Sequence, residues 1–160
     1  MSDQSFAVFD IDGVLADVSH RLHHLTGRRK HWGRFFAAAE ADTLLDRGRH
    51  LLMDAAQAHA IVYLSGRPER LRRVTQRWLD RHDLPTGALL LRPNGDHRPA
   101  RLLKLELMGS VAAHGSVAFV VDDDVEVCRA LRSAGFTVHQ ATWAPDAAPM
   151  RDAQEREGRS

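Results

Sequence analysis

Residues 6–16 read FAVFDIDGVLA. The four apolar positions Phe6, Ala7, Val8 and Phe9 run without a polar break, as expected of a strand covered on both faces in a parallel sheet. The run stops at Asp10, and Asp12 follows two residues on, so two carboxylates stand at the carboxyl end of that strand. Gly13 then lets the chain turn at once. In open α/β sheets, ligands bind beyond the carboxyl ends of the strands, so chemistry is expected at this edge.

Working outward, further strands are expected over 60–64, 89–91 and 117–121, with another over 136–140 after Gly135. Helical patterns separate them. Pro68 suits a first helical turn, and Leu71, Val74 and Trp78 follow at spacings of three and four. Pro99 opens a second helix carrying Leu102, Leu103 and Leu107. Asp123 and Asp124 stand where a third begins, favourably for its dipole, and Gly135 ends it. Alternating strand and helix predicts a parallel α/β sheet of Rossmann-like form with right-handed crossovers. One domain over 1–144 is expected, with a small helical insert over 14–59 (helices over 32–40 and 43–59). The stretch between Ser65 and Lys104 has no room for a large cap, so an open site is expected. The tail over 145–160, with Pro145, Pro149 and RDAQEREGRS, reads as a frayed or disordered end.

The chain of 160 residues is one domain in length, and 44% hydrophobic residues supply a sizeable core. A formal charge of +1 predicts no bulk attraction to a polyanion, so any nucleic-acid contact must use a local patch. The single cysteine, Cys128, excludes an internal disulfide and fits a reducing compartment. With no apolar run long enough for a bilayer and no signal-peptide pattern, a cytoplasmic protein without membrane contact is expected.

Three strand ends deliver functional groups to one edge: Asp10 and Asp12; Ser65, Gly66 and Arg67; and Asp122, Asp123 and Asp124. Lys104 lies in the helix before the last of these strands. Four converging carboxylates repel one another by several kcal/mol at an effective dielectric of about 20, so a cation must lie among them. Oxygen-only ligands favour Mg²⁺ over zinc. Lys104, Arg67 and Ser65 supply the positive charge, donors and hydroxyl that a phosphoryl group requires. One carboxylate can serve as nucleophile and another as proton donor and acceptor.

The order DxDG, SGR, Lys, DD resembles the haloacid dehalogenase (HAD) superfamily of phosphohydrolases. More closely, VFDIDGVLA, IVYLSGR, RVTQRWLD, RPNGDHRPARLLKLEL and VVDDDVEVCRALRSAGFTVHQATW resemble the 3′-phosphatase domain of phage-type polynucleotide kinase-phosphatases. The resemblance implies an Mg²⁺-dependent phosphomonoesterase acting through a phosphoaspartate, on nucleic-acid 3′ ends or 3′-nucleotides. It implies Asp10 as nucleophile and Asp12 as general acid/base and, through its carbonyl, metal ligand. Ser65, Gly66 and Arg67 would bind phosphate, with Arg21 near the substrate. Lys104 would neutralise the phosphoaspartate, and Asp122 and Asp123 would hold the metal beside Asp10. The family places an Asp four residues before the lysine, where this chain has Ala100. The kinase's GxxxxGK[ST] is absent, so a separate kinase or ligase is an expected partner. A nucleotide or small-molecule phosphatase is the alternative on the same chemistry. A phosphoacceptor receiver domain would place its acceptor Asp after the third strand.

Other features have plain readings. Arg70, Arg72, Arg73, Arg77 and Arg81 suit a solvated helix face, or, with Arg28, Arg29 and Lys30, a track for phosphates. His20, His23, His24 and His31 lack the cysteines of a zinc site. Trp78 suits the core, and Cys128 suits an inert buried thiol.

Overall fold

The computed structural model describes residues 3–159; the first two residues of the expected domain and the last of the expected tail lie outside it. In chain order the elements are β1 (Ser5–Phe9), β2 (Ala16–Asp17), α1 (Trp32–Ala37), β3 (Thr43–Leu44), α2 (Asp46–Ala55), β4 (Ala60–Pro68), α3 (Arg72–Arg81), β5 (Gly87–Arg92), α4 (Ala100–Ala112), β6 (Ser116–Asp122), α5 (Val125–Ser133), β7 (Val138–Gln140) and α6 (Ala148–Arg156). Short 3-10 turns over Ser19–Leu25, Ala38–Ala41 and Glu69–Leu71 join several of them.

Five strands form one parallel sheet in the order β5-β4-β1-β6-β7. Side chains alternate across it. Ala7, Phe9, Ile61 and Tyr63 face Leu52 and Ala55 of α2 and Trp78 and Leu79 of α3. Val8, Val62 and Leu64 face Ala100, Met108 and Val111 of α4 and Val127, Cys128 and Leu131 of α5. Both faces are covered, which is why the strands are continuously apolar. The fold is α/β, a Rossmann-like parallel sheet, and the described residues form no large cap. Among the described residues no helix is long and apolar enough to cross a membrane.

Several expectations need correction. Residues 14–59 are not a purely helical insert, because β2 and β3 pair antiparallel. Within that span α2 belongs to the core of the sheet, Leu52 being fully buried. Pro68 is not inside a helix; its extended backbone precedes a 3-10 turn, and α3 starts only at Arg72. β4 runs on through Ser65-Gly66-Arg67 with a register shift between Leu64 and Pro68, so these residues lie in a strand-end irregularity rather than a strand-to-helix turn. β7 starts at Val138, since Gly135, at φ +97°, ends the helical turn first. The C-terminal stretch, expected to be disordered, forms α6. Met150 and Ala153 are fully buried, Met150 against Leu25, Phe35, Phe36 and Leu71.

Candidate active site

The carboxyl ends of β1, β4 and β6 meet at one edge because these strands are neighbours in the sheet. β1 leads into a tight loop in which the amides of Leu15 and Ala16 both donate to the Ile11 carbonyl, at 2.8 and 2.9 Å. Gly13 turns at φ +82°. Asp10 and Asp12 are thereby held at 3% and 2% exposure.

Asp10, Asp122 and Asp123 each offer a carboxylate oxygen within 4.8 Å of the others. Asp10 Oδ1 accepts the Ile11 amide at 2.8 Å. Asp10 Oδ2 and Asp123 Oδ1 are buried with no hydrogen-bond partner. Burial raises the pKa of Asp10 well above the ordinary carboxylate range; Lys104 opposes this, and Asp122 and Asp123 add to it. Asp123 is pushed up to about 7 by burial and then by Asp122. Oxygen-only donors, two orphaned buried oxygens and carboxylates that resist joint ionisation fit a hard divalent cation such as Mg²⁺.

Lys104 is the cation already present. Its Nζ donates to Asp122 Oδ2 at 2.6 Å and lies 3.2 Å from Asp10 Oδ2. Burial would lower its pKa, but Asp10 and Asp122 outweigh burial and keep it charged. Ala100 is fully buried among Val62, Leu64 and Met108, so these two carboxylates orient Lys104 without an Asp one turn before it. Asp122 Oδ1 accepts the Asp124 amide at 2.9 Å. Asp124 caps α5, its Oδ1 accepting the amides of Glu126 and Val127 at 2.8 and 3.3 Å.

The Asp12 carboxylate faces away from that cluster, toward two arginines. Arg67 donates from Nη2 to Asp12 Oδ1 at 2.6 Å and from Nε to Oδ2 at 3.1 Å. Arg21 donates from Nη2 to Asp12 Oδ1 at 3.1 Å. Burial alone would raise the Asp12 pKa; Arg67 and Arg21 overcome it and hold the group below its ordinary value. Ser65 Oγ accepts the Arg67 amide at 3.1 Å, and the Gly66 carbonyl accepts Arg92 Nε at 3.1 Å.

The structure thus gathers Asp10, Asp12, Arg21, Ser65, Gly66, Arg67, Lys104, Asp122 and Asp123 at one edge. One residue was missed from the sequence. Asp42, 3% exposed, accepts Arg21 Nε at 2.8 Å and Nη2 at 2.9 Å, Arg67 Nη2 at 3.2 Å, and shares a 2.7 Å bond with His20 Nε2. Its carbonyl accepts Trp78 Nε1 at 2.9 Å. In ADTLLD it carries no local pattern; only the fold of the insert brings it to the site.

The site's side chains are well buried even without a large cap: Asp10, Asp12, Ser65, Arg67, Lys104 and Asp122 are at most 3% exposed. The arginines of α3 serve mainly as a solvated face: Arg72 pairs with Glu69, and Arg77 and Arg81 with Glu40. His20 is bound to Asp42, and among the described residues the histidines form no metal-binding group. Trp78 is core, and burial pushes the Cys128 thiol up to about 12.

A family model described as "Polynucleotide kinase PNKP phosphatase domain" matches residues 4–144. No curated protein matches. Two solved structures, of a Pnkp1/Rnl/Hen1 complex and of the Pnkp1/Rnl/Hen1 RNA repair complex, are each 25% identical over 91% of this chain, with TM-scores of 0.72 and 0.74. The chain spans about half of those proteins, 48% and 45% of their lengths. A haloacid dehalogenase-like hydrolase from Streptococcus pneumoniae shares the fold at 13% identity, over 98% of this chain and 93% of its own, with a TM-score of 0.58.

Proposed function

The chain belongs to the PNKP phosphatase-domain family and is a phosphatase, and from that premise we propose that it is a Mg²⁺-dependent polynucleotide 3′-phosphatase acting through a phosphoaspartate on Asp10. The observation that carries the mechanism is the Asp10 Oδ2 atom, buried without a hydrogen-bond partner, 3.2 Å from Lys104 Nζ and grouped with Asp122 and Asp123.

Asp10 Oδ2 attacks phosphorus in line, and the phosphorus bond to the 3′ oxygen breaks. Once Arg67 and Arg21 are drawn onto the phosphoryl oxygens, Asp12 loses the pairing that holds it deprotonated in the free chain, takes up a proton and gives it to that leaving oxygen. Lys104, Ser65, Arg67 and Arg21 hold the phosphoryl oxygens and the charge that builds on them. A water then attacks phosphorus while Asp12 takes its proton, and the bond to Asp10 breaks to return the free carboxylate. Mg²⁺, held by Asp10, Asp122, Asp123 and the Asp12 carbonyl, supplies charge neutralisation when bound. A nucleic-acid 3′ end as substrate is supported by the family match and by the similar structure from an RNA repair complex. The same likeness supports a separate kinase or ligase as partner.

A second reading, a nucleotide or small-molecule phosphatase, is favoured by the burial of the site's side chains and by a formal net charge of only +1. Phosphate release separates the two, measured with and without Mg²⁺ from a 3′-phosphorylated oligonucleotide, its 5′-phosphorylated counterpart, free nucleotides and an aryl phosphate. Fast Mg²⁺-dependent release from the 3′ end alone is expected. Release from the nucleotides or aryl phosphate, with the oligonucleotide untouched, would move the function to the second reading.

A further inference from the structure

The family match ends at residue 144, so α6 lies outside it. Its contacts place it beside the site, against α4 and the Ser19–Leu25 turn. Arg151 and Asp123, at the end of β6, line one cavity with Asp146. Four residues on, Glu155 pairs with Arg101 at the start of α4. Glu155 also acts electrostatically on Arg92, the residue that holds the Gly66 carbonyl beside β4. β6 and β5 flank β1 and β4 in the sheet, so α6 is tied near the carboxyl ends of strands on either side of those bearing Asp10, Asp12, Ser65 and Arg67. Met150 anchors α6 to Leu25, Phe35 and Phe36 of the insert.

α6 is a poor permanent roof. Its buried residues are Met150, Ala153 and the polar Gln154. Glu155 Oε1 is buried without a hydrogen-bond partner, a cost that water or displacement would relieve. The ion pairs Glu155–Arg101 and Glu157–Lys30 have side chains 20–41% exposed and are therefore weak and salt-sensitive; just beyond the helix Gly158 packs on the His97 and Arg98 carbonyls and Arg159 lies 5.8 Å from the Trp32 ring. Both ion pairs place a carboxylate on a basic residue at the rim, as a backbone phosphate would.

Resting on the polynucleotide reading above, we propose that α6 is a displaceable occupant of a strand-binding cleft, and that Arg101 and Lys30 take backbone phosphates of the nucleic acid once Glu155 and Glu157 leave. The closed form excludes water from Asp10; the open form admits the 3′ end.

The test uses the full chain. In the Asp10→Asn variant with Mg²⁺, hydrogen exchange is followed with and without a 3′-phosphorylated oligonucleotide. The expected result is amides of 148–156 exchanging about tenfold faster when the oligonucleotide is bound, while those of 10–16 slow. Unchanged or slower exchange in 148–156, with 10–16 protected, would overturn the displacement. In otherwise wild-type protein, Glu155→Lys and Glu157→Lys should each raise kcat/KM on the oligonucleotide about threefold to tenfold at low salt, because apparent affinity scales with the competent fraction. Rates at or below wild type would overturn it. Arg101→Gln and Lys30→Gln loosen α6 yet should raise KM for the oligonucleotide and flatten its salt dependence by about one charge each; a lowered KM would show a lid without a strand cleft and overturn that part. If wild-type protein turns over an aryl phosphate but neither binds nor hydrolyses the oligonucleotide, the polynucleotide reading itself fails and takes the strand cleft with it, a result distinct from any of the others.

Discussion

Asp123 approaches Gly13 so closely that a Cβ on Gly13 would lie 2.1 Å from Asp123 Oδ2. Gly13 also turns at φ +82°, a conformation that costs L-residues about 1–2 kcal/mol. Gly13→Ala therefore displaces either the loop that carries Asp10 and Asp12 or the carboxylate that completes the acidic group. The expected outcome is a loss of about 1–3 kcal/mol in stability, of the size usual for such strain, with a much larger loss of turnover. Thermal unfolding and phosphate release from the same preparation check it; a variant at wild-type rate would show that the close approach is dispensable.

Replacing Asp10 separates chemistry from folding. Asp10→Asn keeps the shape and removes a group that burial and its acidic neighbours already disfavour as an anion. Turnover should fall by about 1,000-fold or more, as it does when a nucleophile is removed. The melting temperature of the metal-free variant should match or exceed that of wild type. Added Mg²⁺ should raise the wild-type melting temperature by mass action and raise that of the variant less. Near-normal turnover would remove Asp10 as the nucleophile, and a full Mg²⁺ shift would remove it as a ligand.

The acidic group also sets how metal-free stability depends on pH. Asp123 is raised to about 7 and Asp10 is raised too, whereas an unfolded carboxylate titrates near about 4. Between those values the folded chain holds more protons than the unfolded one, so stability falls as pH rises. Asp12 runs the other way: its pKa is lowered, so its contribution is present above about 4 and is lost as pH falls through its folded value. In chelator, the melting temperature should therefore decline from about pH 5 to 8, and saturating Mg²⁺, which favours the charged carboxylates, should remove most of the decline. A metal-free melting temperature that climbs over this range would contradict the acidic group's raised pKa values.

Much of this was legible in the sequence because strand ends are local. An apolar run stopping at Asp10, another stopping at Ser65 and a third at Asp122 state both the strand and the edge that carries the candidate site, and parallel pairing of β4, β1 and β6 brings the three ends together. Lys104 was legible from its helix. α6 was not, because Pro145, Pro149 and a charged composition suggest a loose end, and only the apolar surface of Phe35, Phe36 and Leu25 gives Met150 a place to bury. Nor was Asp42. Its partners Arg21 and Arg67 lie 21 and 25 residues away, and the pairing exists only once β2 and β3 zip the insert against the sheet.

Asp42 nevertheless balances the site. Arg21 and Arg67 bring two positive charges into a region where both are 1% exposed, and Asp12 supplies only one negative charge against them. Asp42 supplies the second and shares with Asp12 the Nη2 groups of both arginines, while Arg67 Nη1 reaches Thr75 Oγ1 at 3.2 Å and Arg21 lies 4.2 Å above the Phe35 ring. Asp42→Asn keeps the size but leaves an excess buried positive charge, which should cost about 3–5 kcal/mol, as for breaking a buried pair. Below the melting temperature of the variant, the arginines should lose their fixed direction, so KM for the phosphorylated substrate should rise and kcat should fall together. The Trp78 bond goes to the Asp42 carbonyl and survives the substitution, so the fold around the insert should persist. Inorganic phosphate inhibition, circular dichroism and steady-state kinetics on one preparation check this: a stable variant with unchanged kinetics would show that Asp12 alone suffices to place both arginines.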